Sequence, residues 1–281
     1  MLSKTLKQDM LSILPIWLFL SCLALVSSFS LGGGVNLLFS EEIGWANVVG
    51  VLLLLVSVMV LSCYFIATFV LIGVRFYRNF YTDEGYLTFT LPVKRSTLYF
   101  SKVLSGVIFM FATTLIVLLS VSIGLLLVPI EGASSVFGLV VRYLWELLRV
   151  SIQGLQKEFG TLILLVLGVL IGFCVLVYEV LVMYLCITIG SVIAKKHKLL
   201  LSIVCYYGIN AVLSTISSIA QVILTIFSPF IAMAISAYAS AVPGVLWADL
   251  ILLAVLGFMV VVLSLMYYET RKLIENKLNL P

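Results

Sequence analysis

The stretch Asn47–Val74, NVVGVLLLLVSVMVLSCYFIATFVLIGV, contains no charged residue and no proline. As a helix rising 1.5 Å per residue it would reach about 40 Å, more than the roughly 30 Å hydrocarbon core of a bilayer. Barrel strands alternate apolar and polar positions, and this stretch is apolar all round. A helix also satisfies its own backbone hydrogen bonds where no water is present. Five further blocks of the same kind accompany it: Leu11–Leu31, Val103–Ile130, Thr161–Ile193, Leu199–Phe227 and Val245–Tyr268. The pattern predicts an all-α membrane protein with six transmembrane helices in one domain over residues 1–281.

Composition agrees. Of 281 residues, 63% are hydrophobic and 10% charged, against roughly 45–50% and 25% in soluble domains. The net charge of +4 is explained by where the cations lie and does not call for a nucleic-acid partner. With the loops assigned alternately from an inside start, 13 of the 16 basic residues fall on one side, and Arg142, Arg149 and Lys157 on the other. The positive-inside rule then puts both termini in the cytoplasm.

MLSKTLKQDM at the start reads as a short amphipathic helix on the membrane surface, with Leu2, Leu6 and Met10 on one face. The apolar run after it is too long for a cleaved secretory signal. LGGGVNLLFSEEIGW, Leu31–Trp45, reads as a loop with flexible glycines and an interfacial tryptophan. Val140, Leu144, Leu147, Leu148 and Leu155 recur at helical spacing opposite Arg142, Glu146, Arg149 and Gln153. That pattern predicts an outer interfacial helix between the third and fourth spans, either capping a pathway or lying in the headgroups. Pro229–Gly244, uncharged and bounded by prolines, predicts a loop that dips into the outer leaflet.

Several chemistries are excluded. There is no G-x-x-x-x-G-K-[ST] phosphate loop, no G-x-S-x-G elbow and one histidine, His197, in the basic run AKKHKLL. No cofactor or metal is expected on this chain. Cys22, Cys63, Cys174, Cys186 and Cys205 all lie within spans without C-x-x-C spacing, which suggests neither disulfides nor zinc.

Ionisable groups inside a span cost several kcal/mol unless paired, hydrated or neutralised. Glu179, mid-way along the fourth block, and Asp249 in the sixth have this character. Each is read either as a substrate or proton site or as a neutral group that ties helices together. Asn210, Ser214, Ser217, Ser218 and Gln221 share one face of the fifth block. Such a face lines a translocation path or bonds a neighbouring helix. Gly168-Val-Leu-Ile-Gly172 matches a small-xxx-small packing motif.

The densest polar segment between two spans reads FYRNFYTDEGYLTFTLPVKRSTLYF, Phe76–Phe100. Thr82 can cap a short helix whose first turn carries Asp83 and Glu84, and Pro92 ends it. Aromatic and aliphatic anchors rimmed by charge suit a protein-docking surface, so a soluble cytoplasmic partner is expected here.

The run RFYRNFYTDEGYLTFTLPVKRSTLYFSKVLSG, Arg75–Gly106, resembles the first cytoplasmic loop of ABC-2-type permeases of Gram-positive bacteria. GSVIAKKHK, Gly190–Lys198, and TRKLIENKLNL, Thr270–Leu280, are similar to that family's second loop and basic tail. The resemblance implies the transmembrane subunit of an ATP-driven exporter in the bacterial plasma membrane. It implies a separate nucleotide-binding subunit that holds ATP and magnesium, and a second permease, identical or paralogous. The coupling element it implies is Thr82, Asp83, Glu84, Gly85, Tyr86, Leu87, Thr88, Phe89, Thr90, Leu91 and Pro92. Two other readings stand beside it: a proton-coupled secondary transporter using Glu179, and a non-transporting immunity or sensor protein.

Overall fold

A computed structural model describes residues 2–39, 44–82, 85, 95–128, 138, 142, 160–194, 197–238 and 244–276. The side chains of 160–165, 216, 217, 220, 221, 223–225, 227–251 and a few helix ends lie outside that description. Among the described residues six helices form: α1 (Leu2–Phe39), α2 (Trp45–Tyr81), α3 (Arg95–Leu126), α4 (Gly160–Ile193), α5 (Lys198–Tyr238) and α6 (Gly244–Asn276). No strand occurs among the described residues. All six are long and apolar enough to cross a membrane, and this is a multi-pass membrane protein. Large apolar side chains such as Phe19, Val169 and Phe258 are 71%, 73% and 70% exposed, as surfaces turned toward lipid should be.

Most helices outrun the apolar blocks. The 38 residues of α1 span about 57 Å, so its ends must leave the hydrocarbon. The N-terminal lead is therefore not a separate surface helix: it forms the first turns of α1, because Lys4, Lys7, Gln8 and Asp9 do not interrupt the helix. The expected glycine loop at Gly32–Gly34 is also helical. α5 runs through Pro229 to Tyr238 where a dipping loop was expected. α3 closes earlier than Ile130, with Leu127 N–H donating to Gly124 O (3.2 Å). Gly44 precedes α2 with φ +143°, a conformation that suits glycine. The expected outer interfacial helix lies outside the described residues, apart from Gly138 and Arg142.

The chain divides into two compact units. One holds α1, α3 and α2 as far as Asn79; the other holds α4, α5, α6 and the end of α2 from Phe80.

In the first unit α1 packs along α3. Asp9, Ile13, Trp17, Ser21, Ala24, Ser28 and Leu31, spaced three or four apart, are all buried on one face of α1. Trp17 Nε1 donates to Thr113 Oγ1 (2.9 Å), Ser21 Oγ bonds Tyr64 OH (2.9 Å), and Ser120 Oγ donates to Ala24 O (2.8 Å). Hydrogen bonds of this kind between membrane helices average about 0.6 kcal/mol. The Trp17 and Phe109 rings meet edge-on at 5.5 Å.

One end of this seam is ionic. Lys102 is salt-bridged to Asp9, with Ser101 Oγ donating to the same carboxylate (3.3 Å), all of them buried. Removing one partner of such a pair costs about 3–5 kcal/mol, because the other charge is left alone.

Glycines set how closely the first unit's helices approach. A Cβ on Gly32 would lie 2.7 Å from Gly124 O, and one on Gly34 would lie 2.9 Å from Gly50 O. Among the described residues, nothing lies within 4 Å of a Cβ built on Gly168 or Gly172, where a contact was expected. Gly34→Ala should therefore destabilise the purified protein by about 1–3 kcal/mol in a detergent unfolding assay. Gly168→Ala should be neutral, or stabilising by up to about 1 kcal/mol through helix propensity. Equal effects would contradict this packing.

Candidate functional site

In the second unit α4 packs against both α5 and α6. Its half from Val180 to Gly190 is buried almost all round: Val180, Leu181, Val182, Met183, Tyr184, Cys186, Ile187, Thr188 and Gly190 are covered. α5 reaches it closely at Gly190, where a Cβ would lie 2.7 Å from Ser202 N. Ser202 itself is buried, and its hydroxyl donates to Lys198 O (2.8 Å). From α6, Thr270 and Ile274 are buried.

The end of α2 seats on this half of α4. Phe80 and Tyr81 are buried and their rings lie 6.4 Å apart. Tyr81 OH donates to Thr188 Oγ1 (3.0 Å), and Thr188 Oγ1 donates to Tyr184 O (2.7 Å). The chain then turns, with Gly85 N–H donating to Thr82 O (2.7 Å). Gly85 is itself buried. Of the expected coupling residues, Thr82 and Gly85 are among the described ones, directly after the end of α2. Asp83, Glu84, Tyr86, Leu87, Thr88, Phe89, Thr90, Leu91 and Pro92 lie outside the described residues.

Nine residues before Thr188 on the same helix stands Glu179, half-buried. It accepts a hydrogen bond from Tyr206 OH on α5 (3.1 Å). Asn210, one turn further along α5, donates from Nδ2 to Tyr206 O (3.1 Å). Tyr206 and Tyr207 meet nearly perpendicular at 5.8 Å. Glu179 and Asn210, read from sequence as members of one candidate path, are both linked to Tyr206. Sequence reasoning passed over Tyr206, although it sits one helical turn before Asn210 on the same face.

The rest of the α5 stripe bonds inward. Ser214 Oγ donates to Ala211 O (2.9 Å) and Ser218 Oγ to Ser214 O (2.8 Å), both within α5 and both exposed. The side chains of Ser217, Gln221 and Asp249 lie outside the described residues.

Comparison of the chain with protein-family models, with curated proteins and with solved structures finds no match.

Tyr81→Phe keeps the ring and removes one hydrogen bond, with a net loss of about 1 kcal/mol. Local opening should rise in proportion, so amide exchange at the end of α2 should quicken about fivefold in exchange mass spectrometry. Unchanged exchange would mean that Thr188 does not hold this segment.

Proposed function

We propose that the chain is the membrane-spanning subunit of an ATP-driven exporter, an ABC-2-type permease of the bacterial plasma membrane. A separate nucleotide-binding subunit supplies ATP, magnesium and hydrolysis; this chain catalyses nothing alone. It works beside a second permease, identical or paralogous, and moves a peptide, lipid or drug-like cargo.

The observation that carries the reading is the Tyr81–Thr188 hydrogen bond, which ties the end of α2 to α4. The segment Thr82–Pro92 has the aromatic and acidic make-up of a docking element, and it begins where Tyr81 is bonded to Thr188. A push on that segment is delivered to a buried, rigid helix. Thr188 and Glu179 are nine residues apart, about 13 Å along one axis, so the same displacement reaches the Glu179–Tyr206 pair. Rigid-body rocking of packed helices is an ordinary route for such coupling. The energy comes from differential nucleotide binding in the partner.

A second reading, proton exchange at Glu179 without any ATPase, draws on the Tyr206 hydrogen bond to the carboxylate. It requires transport by the purified chain alone.

Affinity purification of the tagged chain from native membranes should recover an ATPase subunit. Asp83→Lys with Glu84→Lys should cut that recovery about tenfold, a loss near 1.4 kcal/mol. Unchanged recovery, or an absence of any ATPase, would count against the proposal.

A further inference from the structure

Glu179 stands near the middle of the span Val166–Ile193, at a depth where a carboxylate needs protonation, water or a cation. A carboxylate offers about four lone-pair sites, and among the described residues Tyr206 OH fills one of them. No lysine or arginine pairs with it there; the described ion pairs are Lys102–Asp9 and Arg271–Glu275. A purely structural carboxyl would be enclosed and bonded by more than one donor. Glu179 is instead half-buried, flanked by Tyr178 in its own helix and by Tyr206 in the next. Tyr207 is 69% exposed, and the position of Gly208 meets open space.

A carboxylate bonded by Tyr206 and within electrostatic reach of Tyr178 suits a cationic ligand. The negative faces of aromatic rings attract organic cations, most strongly when water is excluded. The apolar surroundings favour a ligand whose body is itself apolar.

We propose that Glu179, Tyr206 and Tyr178 form a recognition site for the charged head of a lipophilic organic cation, so that the cargo class is cationic and amphipathic. The word cargo rests on the export reading; binding at the site does not need ATP. Glu179 supplies the countercharge, the tyrosine rings supply polarisable walls, and Tyr206 OH orients the carboxylate.

The test uses the full chain in nanodiscs of zwitterionic lipid, with empty nanodiscs as background. Tetraphenylphosphonium and tetraphenylborate share shape and apolar surface and differ in the sign of their charge. Saturable binding of the phosphonium and none of the borate is expected. Glu179→Gln should weaken phosphonium binding at least tenfold, and Glu179→Asp should keep the preference for the cation. On the unaltered protein, carbodiimide labelling of Glu179, read by peptide mass spectrometry, should be blocked by the phosphonium and not by the borate. Equal binding of both ions, phosphonium binding indifferent to Glu179→Gln, or labelling that the phosphonium does not block would overturn the site. If an ATPase copurifies while the phosphonium fails to bind, the export reading stands and the cationic class falls. If the phosphonium binds and no ATPase is found, the site stands and the driving force lies elsewhere.

Discussion

Hydrocarbon offers no hydrogen-bond partner, so every polar group that a helix carries into it must be satisfied from within the protein. That constraint accounts for most polar contacts in both units. In the first, the hydroxyls and indole on one face of α1 bond across to α2 and α3, and Asp9 is neutralised by Lys102. In the second, the serines of α5 turn back onto their own carbonyls. Glu179, a mid-span carboxylate, accepts from the hydroxyl of Tyr206 on the next helix.

α4 links Glu179 to the end of α2. Its half from Val180 to Gly190 is buried like the core of a soluble protein, which makes it stiff. At Thr188 it receives the end of α2. One helix therefore bears both Thr188, which holds the end of α2, and Glu179. In a proton exchanger the same pair would work without any load on that segment, so the value of the Tyr81–Thr188 bond differs between the two readings.

The helices were legible in the sequence because their apolar blocks exceed any soluble helix. α4 and α5 begin or end within a residue of the expected positions, at Gly160, Ile193 and Lys198. The ends of α1 were not, since polar residues such as Lys4 and Gln8 are as helix-compatible as leucine. Gly32–Gly34 reads equally well as a loop or as a close helix contact until its neighbours Gly50 and Gly124 are known. The converse held for Gly168 and Gly172, whose spacing suggested a contact that no described residue makes. Pairings across long separations were invisible: Asp9 with Lys102 lies 93 residues apart, and Tyr81 with Thr188 lies 107. Glu179 and Asn210 were found from depth and periodicity. Tyr206, which bonds both, was missed because a tyrosine in a span is usually packing.

The central claim is that the corner after Tyr81 faces the cytoplasm, where an ATPase can press on it. Its most direct measurement is the sidedness of a single cysteine at Thr82, in a chain whose five native cysteines have been replaced. A membrane-impermeant maleimide should label Thr82→Cys in inverted vesicles and leave it unlabelled in intact cells. Labelling in intact cells would place that corner outside and contradict the account.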